Sequence, residues 1–282
     1  MVNIVLEYDD ELKIYFGCDI SIASKIIVSQ PSVYQIAKFG EKKYFNAVHL
    51  LTSVGADLKW QLWDYNQIDY TKIDDYDLFV KFIAPVVGSK KQVYTELINN
   101  PEQYKNELQN ISNEELEEML INPLSLLLNI DFADFIPIEK VFNEGNKQII
   151  LFNPKDEIVI DRLIYTRMID VIRKIHGLKR NNEMPANEVT KRDLIDDARD
   201  EAMAMARRPY KSTLRPLIST LSVYCGQCGD ERIWNMKINN FFEDIKRVGK
   251  IEDAHTLLQG SYSGFANLKN VDKTRFDMFA DI

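Results

Sequence analysis

Two cysteines separated by two residues, Cys225 and Cys228, have the spacing that most resembles a chemical motif in this sequence. A CxxC pair can ligate zinc or carry out thiol–disulfide exchange. Zinc needs two further ligands, but the sequence has no second CxxC and no HxxxH, and its three histidines are isolated. Redox exchange needs the first cysteine at the start of a helix, whereas a predicted helix ends before this pair. We therefore interpret the pair as an inter-helix loop and keep a metal site at Cys225 and Cys228 as an alternative.

A second pattern, the segment GSYSG at residues 260–264, resembles the nucleophile elbow of hydrolases. Its middle position is Tyr262, however, and the elbow requires the nucleophile at that position. The sequence also has no Walker A, GxGxxG or HExxH motif. We therefore predict that the protein is not an enzyme, and we expect no cofactor and no catalytic residues.

Three aspartates, Asp74, Asp75 and Asp77, could form a carboxylate cluster for a metal ion. Their spacing places only some of them on one helix face. They also stand near the start of a helix predicted over residues 73–83, where negative charge is favourable. We therefore interpret them as the acidic first turn of that helix.

A basic patch surrounds Tyr210 and could contact phosphate, although the acidic balance of the chain favours a solvated helix junction. Its members are Arg207, Arg208, Lys211 and Arg215.

A stripe of small and flexible apolar residues precedes the basic patch, at the end of a helix predicted over residues 190–208. We expect that stripe to be packed in the ordinary way: Ala202, Met203, Met205 and Ala206.

The charge of the chain limits the possible function classes. The net charge of −8 over 282 residues argues against general nucleic-acid binding. Residues 1–150 carry 13 Lys and Arg against 23 Asp and Glu, so the first half is the acidic one. We expect no secretory signal and no membrane-spanning segment, and three cysteines fit a reducing cytoplasm better than a disulfide scaffold.

The most strongly periodic stretch is residues 158–178, which we predict to form the central helix of the protein. Apolar residues recur at spacings of three and four, and basic residues lie mostly on the other face. Gly177 follows a cationic last turn, as is typical of a helix C-terminus. So broad an apolar face requires packing by other elements, so we place this helix at the centre of the fold.

The remaining patterns predict a mostly α (α+β) protein, with a small N-terminal β-hairpin followed by a multi-helix domain. Residues 3–8 and 11–16 form the predicted hairpin, and residues 19–30 add a third strand. A capping box at Ser112 predicts another helix start. Two strands with a turn between them are predicted at residues 132–138 and 148–152. Further predicted helices span residues 32–39, 40–55, 57–64, 214–224, 235–248 and 253–258.

Composition and turn signals divide the chain into three parts. Residues 1–88 contain the N-terminal hairpin and the first helices, and we expect Pro85 and Gly88 to break the helix before them. Residues 89–152 form a polar helical insertion with an extended connector. Residues 153–282 form the C-terminal helical domain around the central helix.

Four blocks of sequence, in this order, resemble proteins of the tail gene cluster of long-tailed phages and prophages of Gram-positive bacteria. The blocks are residues 30–54, 62–79, 159–181 and 255–273, and together they cover about half of the chain. In such proteins a Leu-x-Gly-x-x-Ser-Gly element and a short basic stretch end the chain. Here residues 89–122 resemble an insertion, and Phe276 and Phe279 stand where Asn-Trp is expected.

This resemblance implies a tail assembly chaperone, a non-enzymatic factor that holds the tape-measure protein, the tube protein or both while the tail tube is built. It implies action in the host cytoplasm, possible self-association, and no binding to membranes or nucleic acid. It carries over no catalytic residue and identifies no partner-binding residue. The alternatives are a structural component of the mature tail or baseplate, and a zinc-binding or redox protein that uses Cys225 and Cys228.

Overall fold

A computed structural model of the chain describes residues 8–104, 111–141, 147–226, 231–264 and 271–279. It is mostly α with two small sheets, which confirms the predicted class. The helices are α1 (Tyr8–Tyr15), α2 (Val33–Phe39), α3 (Glu41–Thr52), α4 (Lys59–Asn66), α5 (Asp75–Leu78), α6 (Ala84–Asn99), α7 (Asn113–Leu120), α8 (Arg162–His176), α9 (Glu188–Ala206), α10 (Leu214–Tyr224), α11 (Glu231–Asn235) and α12 (Ile238–Tyr262). The strands are β1 (Ile20–Ala23), β2 (Ile26–Val28), β3 (Ile136–Val141), β4 (Lys147–Asn153) and β5 (Ile158–Ile160).

The N-terminal hairpin lies later in the chain than the sequence predicts. Residues 1–7 fall outside the described ranges, and the predicted strand at 11–16 is wrong because this segment belongs largely to α1. Lys13 and Asp10 pair across one helical turn, and Ile14 is buried. The hairpin is formed instead by β1 and β2, antiparallel with Ile20 opposite Val28, inside the segment predicted as one strand.

Helices α2 and α3 follow the sequence signals closely. Ser32 begins α2 with a capping box, in which its hydroxyl accepts from the amide of Gln35 and the Gln35 side chain accepts from the Ser32 amide. Gly40 separates the two helices at φ 108°, a conformation that is strained for any residue with a Cβ. The prediction of a helix start at Ser32 is therefore confirmed.

The predicted break at Pro85 and Gly88 is wrong, because helical structure continues from α5 to the end of α6. The intervening residues, Phe79 to Ile83, form a π-helical turn, and Pro85 lies in the first turn of α6. Proline is tolerated there since the wider turn before it accommodates the missing backbone hydrogen bond. Gly88 permits close packing in α6. A Cβ at this position would lie 2.7–2.9 Å from backbone atoms of Ala133 and Phe132, which is too close for any larger residue.

The second sheet has the order β3–β4–β5, with both pairs antiparallel. The predicted strand at 132–138 begins only at Ile136, because Phe132 to Asp134 form a 3-10 turn. The predicted turn at residues 143–146 lies outside the described residues. The strand predicted at 148–152 is confirmed as part of β4.

The central helix is present, but its start was predicted four residues too early. Ile158 and Ile160 are buried and Val159 is less so, which is the alternation of a strand, and they pair with β4. Asp161 then begins α8, where its side chain accepts from the amide of Ile164 at 2.9 Å. Gly177 ends the helix at φ 61°, as predicted.

Helix α8 lies at the centre of the buried apolar cluster, which includes residues from Ile14 in α1 to Phe241 in α12. It packs against α3, α12 and the β1–β2 hairpin. Its broad apolar face is therefore covered on several sides, which explains why seven of its side chains are buried: Tyr165, Met168, Ile169, Val171, Ile172, Ile175 and His176. The division into three parts stays a prediction.

The last long helix corrects two further expectations. Residues 235–248 and 253–258 were predicted as separate helices, but α12 runs without interruption through Gly249. A glycine disfavours a helix without forbidding it, so tertiary packing determines whether the helix continues.

None of the helices in the described ranges combines the length and apolar character that a membrane span requires.

Candidate binding groove

The CxxC pair is only half described by the structure. Cys225 is exposed at the end of α10, and Cys228 lies outside the described residues. Within the described ranges, no group of three or more His, Cys, Asp or Glu side chains is placed to hold a metal ion. The metal site at Cys225 and Cys228 therefore stays a prediction.

The three aspartates near residue 75 are held apart by separate partners. Asp74 caps α5 and accepts from the amide of Tyr76 at 2.9 Å. Asp75 pairs with Arg180 and Asp77 pairs with Lys81. The interpretation as the acidic first turn of a helix is confirmed, with one addition: two of these carboxylates also bind cations distant in sequence.

Those distant ion pairs stand at the walls of an open groove of about 840 Å³. One wall is formed by residues 54–56 and 70–76, the other by the first half of α8, and residues 180–184 close one side. The segment after α8 returns across the helix to reach this position, because Gly177 turns the chain in the left-handed conformation. The groove brings together polar side chains that are distant in the sequence.

Two arginine–aspartate pairs connect the walls. Arg162 Nη1 lies 2.6 Å from Asp74 Oδ1, and Arg180 binds both carboxylate oxygens of Asp75, at 2.9 and 3.1 Å. Burial acts to raise the pKa of Asp74, but the hydrogen bond and charge of Arg162 and two backbone amides outweigh it and lower that pKa. The two carboxylates therefore orient the arginines.

A third arginine, Arg173, faces the groove from α8 and donates from Nη2 to the carbonyl oxygen of Thr52 at 2.7 Å. All three arginines that line the groove are thus already engaged by this chain. A free phosphate would have to displace these contacts, so the groove is poorly suited to a small anion.

Two tyrosines lining the groove have unused hydrogen-bonding capacity. Tyr70 and Tyr165 are each 4% exposed, and neither hydroxyl finds a hydrogen-bond partner among the described residues. Burial raises the pKa of each phenol, so both remain neutral donors near pH 7. Tyr76, by contrast, donates to the carbonyl oxygen of Ile160 at 2.9 Å. A buried hydroxyl without a partner is costly, but both hydroxyl oxygens are shielded from the groove, so they are not offered to a ligand as donors.

The mouth of the groove presents large apolar side chains to solvent. Leu163 on α8 is 61% exposed, and Met184 on the opposite side is 73% exposed. Ile169 is buried beneath them. Exposed apolar side chains at the mouth suit a polypeptide segment, because such a ligand brings apolar side chains of its own.

A smaller cavity of about 590 Å³ lies between the β1–β2 hairpin and the β4–β5 turn. Its polar groups are largely paired with one another: Lys25 Nζ donates to the carbonyl oxygen of Asp156 at 2.6 Å, and Lys91 pairs with Asp131. This internal pairing indicates a structural junction, so we favour the larger groove as the binding site.

Comparisons with protein-family models, with curated proteins and with solved structures give no match to this chain.

Sequence reasoning found Asp74 and Asp75 but missed the rest of the groove. Arg162 falls inside the predicted central helix and Arg180 lies just beyond its predicted end, but neither was predicted as a site residue. Tyr165 and Tyr70 were indistinguishable from ordinary core residues. No local signal joins residues about a hundred positions apart, so only the path of the chain after α8 could identify the site.

Proposed function

We propose that this protein is a non-enzymatic factor of phage tail morphogenesis, a tail assembly chaperone that binds the tape-measure protein, the tube protein or both. The four-block resemblance supports the phage assignment. The groove carries the binding part of the proposal, because its mouth exposes the apolar side chains of Leu163 and Met184.

A factor that holds a long, aggregation-prone helical partner needs contacts that are apolar yet reversible. Leu163 and Met184 would cover apolar side chains of the bound segment. The net charge of −8 would keep the complex dispersed in the host cytoplasm.

The proposal is tested by co-expression with the tape-measure protein of the same tail gene cluster. The double variant Leu163→Glu and Met184→Glu places two charges at the mouth of the groove. We expect at least a tenfold loss of co-purified tape-measure protein, because burying an unpaired carboxylate in an apolar contact is costly.

Val223→Glu is the matched control, because Val223 is 69% exposed on α10 and does not line the groove. It should retain the partner at the wild-type level. Equal retention by the double variant, with an unchanged circular dichroism spectrum, would show that the groove is not the binding site.

Mass spectrometry of purified particles against infected lysate separates a chaperone from a structural tail protein. Abundant peptides in lysate that are missing from particles support the chaperone. Peptides at fixed stoichiometry in particles would overturn it and identify a component of the mature tail or baseplate.

A further inference from the structure

We propose that two copies of this chain associate through one face, on which an acidic helix lies beside a basic segment. Two surfaces define this face. The basic segment is residues 203–215, and the acidic helix is α7 with Ile121. The proposal does not depend on the binding groove or on the phage assignment.

The basic segment carries positive charge that the described part of the chain leaves unpaired. Four cations are exposed and have no ion pair with any described carboxylate: Arg207, Arg208, Lys211 and Arg215. Unpaired exposed cations such as Lys155 and Lys179 also occur elsewhere in the described part of the chain, but these four lie within nine residues of the sequence. In a chain with eight more acidic than basic residues, a cluster of unpaired cations indicates a surface made for an acidic partner.

Exposed apolar side chains accompany these cations. Met203 and Met205, near the end of α9, are 52% and 59% exposed, so the predicted ordinary packing of this stripe is wrong. Helix α9 packs against α4, where Arg199 binds Asp64, and Lys191 binds Asp69 just beyond α4. Met203 and Met205 follow these contacts in the sequence. Flexible thioethers beside guanidinium groups suit an amphipathic acidic helix.

Helix α7 has the complementary chemistry. None of its residues is buried, and Glu114 and Glu117 have no cationic partner within the described ranges. Glu114, Glu117 and Glu118 share one helix face, because they stand at spacings of three and four. Leu120 and Ile121, at its end, are both exposed. The helix therefore exposes acidic and apolar side chains together. The basic segment likewise exposes basic and apolar side chains together.

The two surfaces are neighbours because both are tied to the first turn of α3. Glu41 accepts from the hydroxyl of Ser212 at 2.5 Å and from the amides of Thr213 and Leu214 at 2.6 and 2.9 Å. Two residues later, Lys43 Nζ lies 3.3 Å from Glu118 of α7. The acidic and basic surfaces thus flank one short helical turn.

Two surfaces of opposite charge on either side of one helical turn suit a two-fold dimer. A two-fold axis between them sets the acidic helix of each copy against the basic segment of the other, so that every contact is made twice. Exposed ion pairs contribute little singly, so the apolar side chains on both surfaces must supply part of the binding free energy. The dimer should therefore weaken as the salt concentration rises.

The test is light scattering of the size-separated full-length protein at low and high salt. We expect a dimer of the wild-type chain at low salt. Arg207→Glu with Arg208→Glu, and separately Glu114→Lys with Glu117→Lys, should each raise the dissociation constant at least tenfold, because like charges then meet. An equimolar mixture of the two variants should form a dimer, since both contacts become attractive again.

The matched control is Lys155→Glu with Lys179→Glu, which changes the net charge by the same amount as the arginine variant at exposed positions outside both surfaces. It should dimerise like the wild type. A wild-type monomer at all concentrations, dimers that survive both reversals, or growth beyond the dimer would each overturn the two-fold arrangement. Loss of the dimer in the lysine control would show that net charge alone governs association and would overturn it as well.

Discussion

The hydroxyl of Tyr44 lies 2.8 Å from Nε2 of His176, and both side chains are buried between α3 and α8. Nδ1 of the same ring lies 2.8 Å from the carbonyl oxygen of Ile172. A carbonyl can only accept, so Nδ1 carries the proton and Nε2 accepts from Tyr44. Both ring nitrogens of a neutral histidine are thus satisfied in the core.

This arrangement predicts a stability that depends on pH. Burial lowers the pKa of His176 from 6.5 to about 4, against the raising effect of the Ile172 hydrogen bond, and His49 lowers it further. The unfolded chain binds a proton at pH 6.5 that the folded chain binds only near pH 4. The free energy of unfolding should therefore be fully retained above pH 6.5 and should fall by about 1.4 kcal/mol per pH unit between those values.

Urea unfolding at pH 7.5, 6 and 5 checks this expectation. Carboxylates add their own acid dependence below about pH 5, so the comparison is with His176→Gln, which should remove most of the slope between pH 6.5 and 5. A variant with the wild-type slope would show that another group carries it. Tyr44→Phe should cost about 1–3 kcal/mol at pH 7.5, because it leaves Nε2 buried without a donor.

Two helical glycines should respond oppositely to the same substitution. A Cβ at Gly88 would lie 2.7 Å from the backbone nitrogen of Ala133, whereas one at Gly249 would meet nothing within 4 Å. Gly249→Ala should stabilise the protein by about 0.5–1 kcal/mol, since glycine lowers helix stability. Gly88→Ala should destabilise it by about 1–3 kcal/mol, because backbone atoms must move. Thermal unfolding of both variants tests this prediction. If both substitutions stabilise the protein, the close approach between Gly88 and Ala133 is contradicted.

Asp74 joins a helix cap to an ion pair, and two substitutions separate these roles. Asp74→Asn keeps a side-chain oxygen for the amide of Tyr76 and loses only the charge opposite Arg162, so we expect a cost below about 1 kcal/mol. Asp74→Ala removes both contacts and should cost about 1–2 kcal/mol more. Chemical denaturation measures both, and equal losses would mean that the cap contributes nothing.

Much of the helical content could be predicted because its signals are local. Ser32 with Gln35 and Ser112 with Glu115 form the capping boxes that their spacing predicts. Gly177 ends the central helix as expected. Predictions failed where a short apolar run is compatible with both the helical and the strand period of hydrophobicity. Residues 11–16 alternate like a strand yet join a helix, and Ile158 to Ile160 continue a helical pattern yet pair with β4.

The candidate groove could be predicted only in part. Asp74 and Asp75 stand out as an acidic turn, but their partners Arg162 and Arg180 lie about a hundred residues away. The exposure of Met203 and Met205 was also hidden, because a stripe of alanine and methionine has the same composition whether it is packed or open.

The sequence by itself determined the class of the protein, the central helix and its end at Gly177, and the starts of α2, α7 and α10, because capping and periodicity act over a few residues. The tertiary structure alone decided which polar residues meet. Pairing of β5 with β4 set the start of α8 at Asp161, and the turn at Gly177 returned Arg180 to Asp75. These outcomes depend on burial and contact between distant segments, which no local pattern encodes.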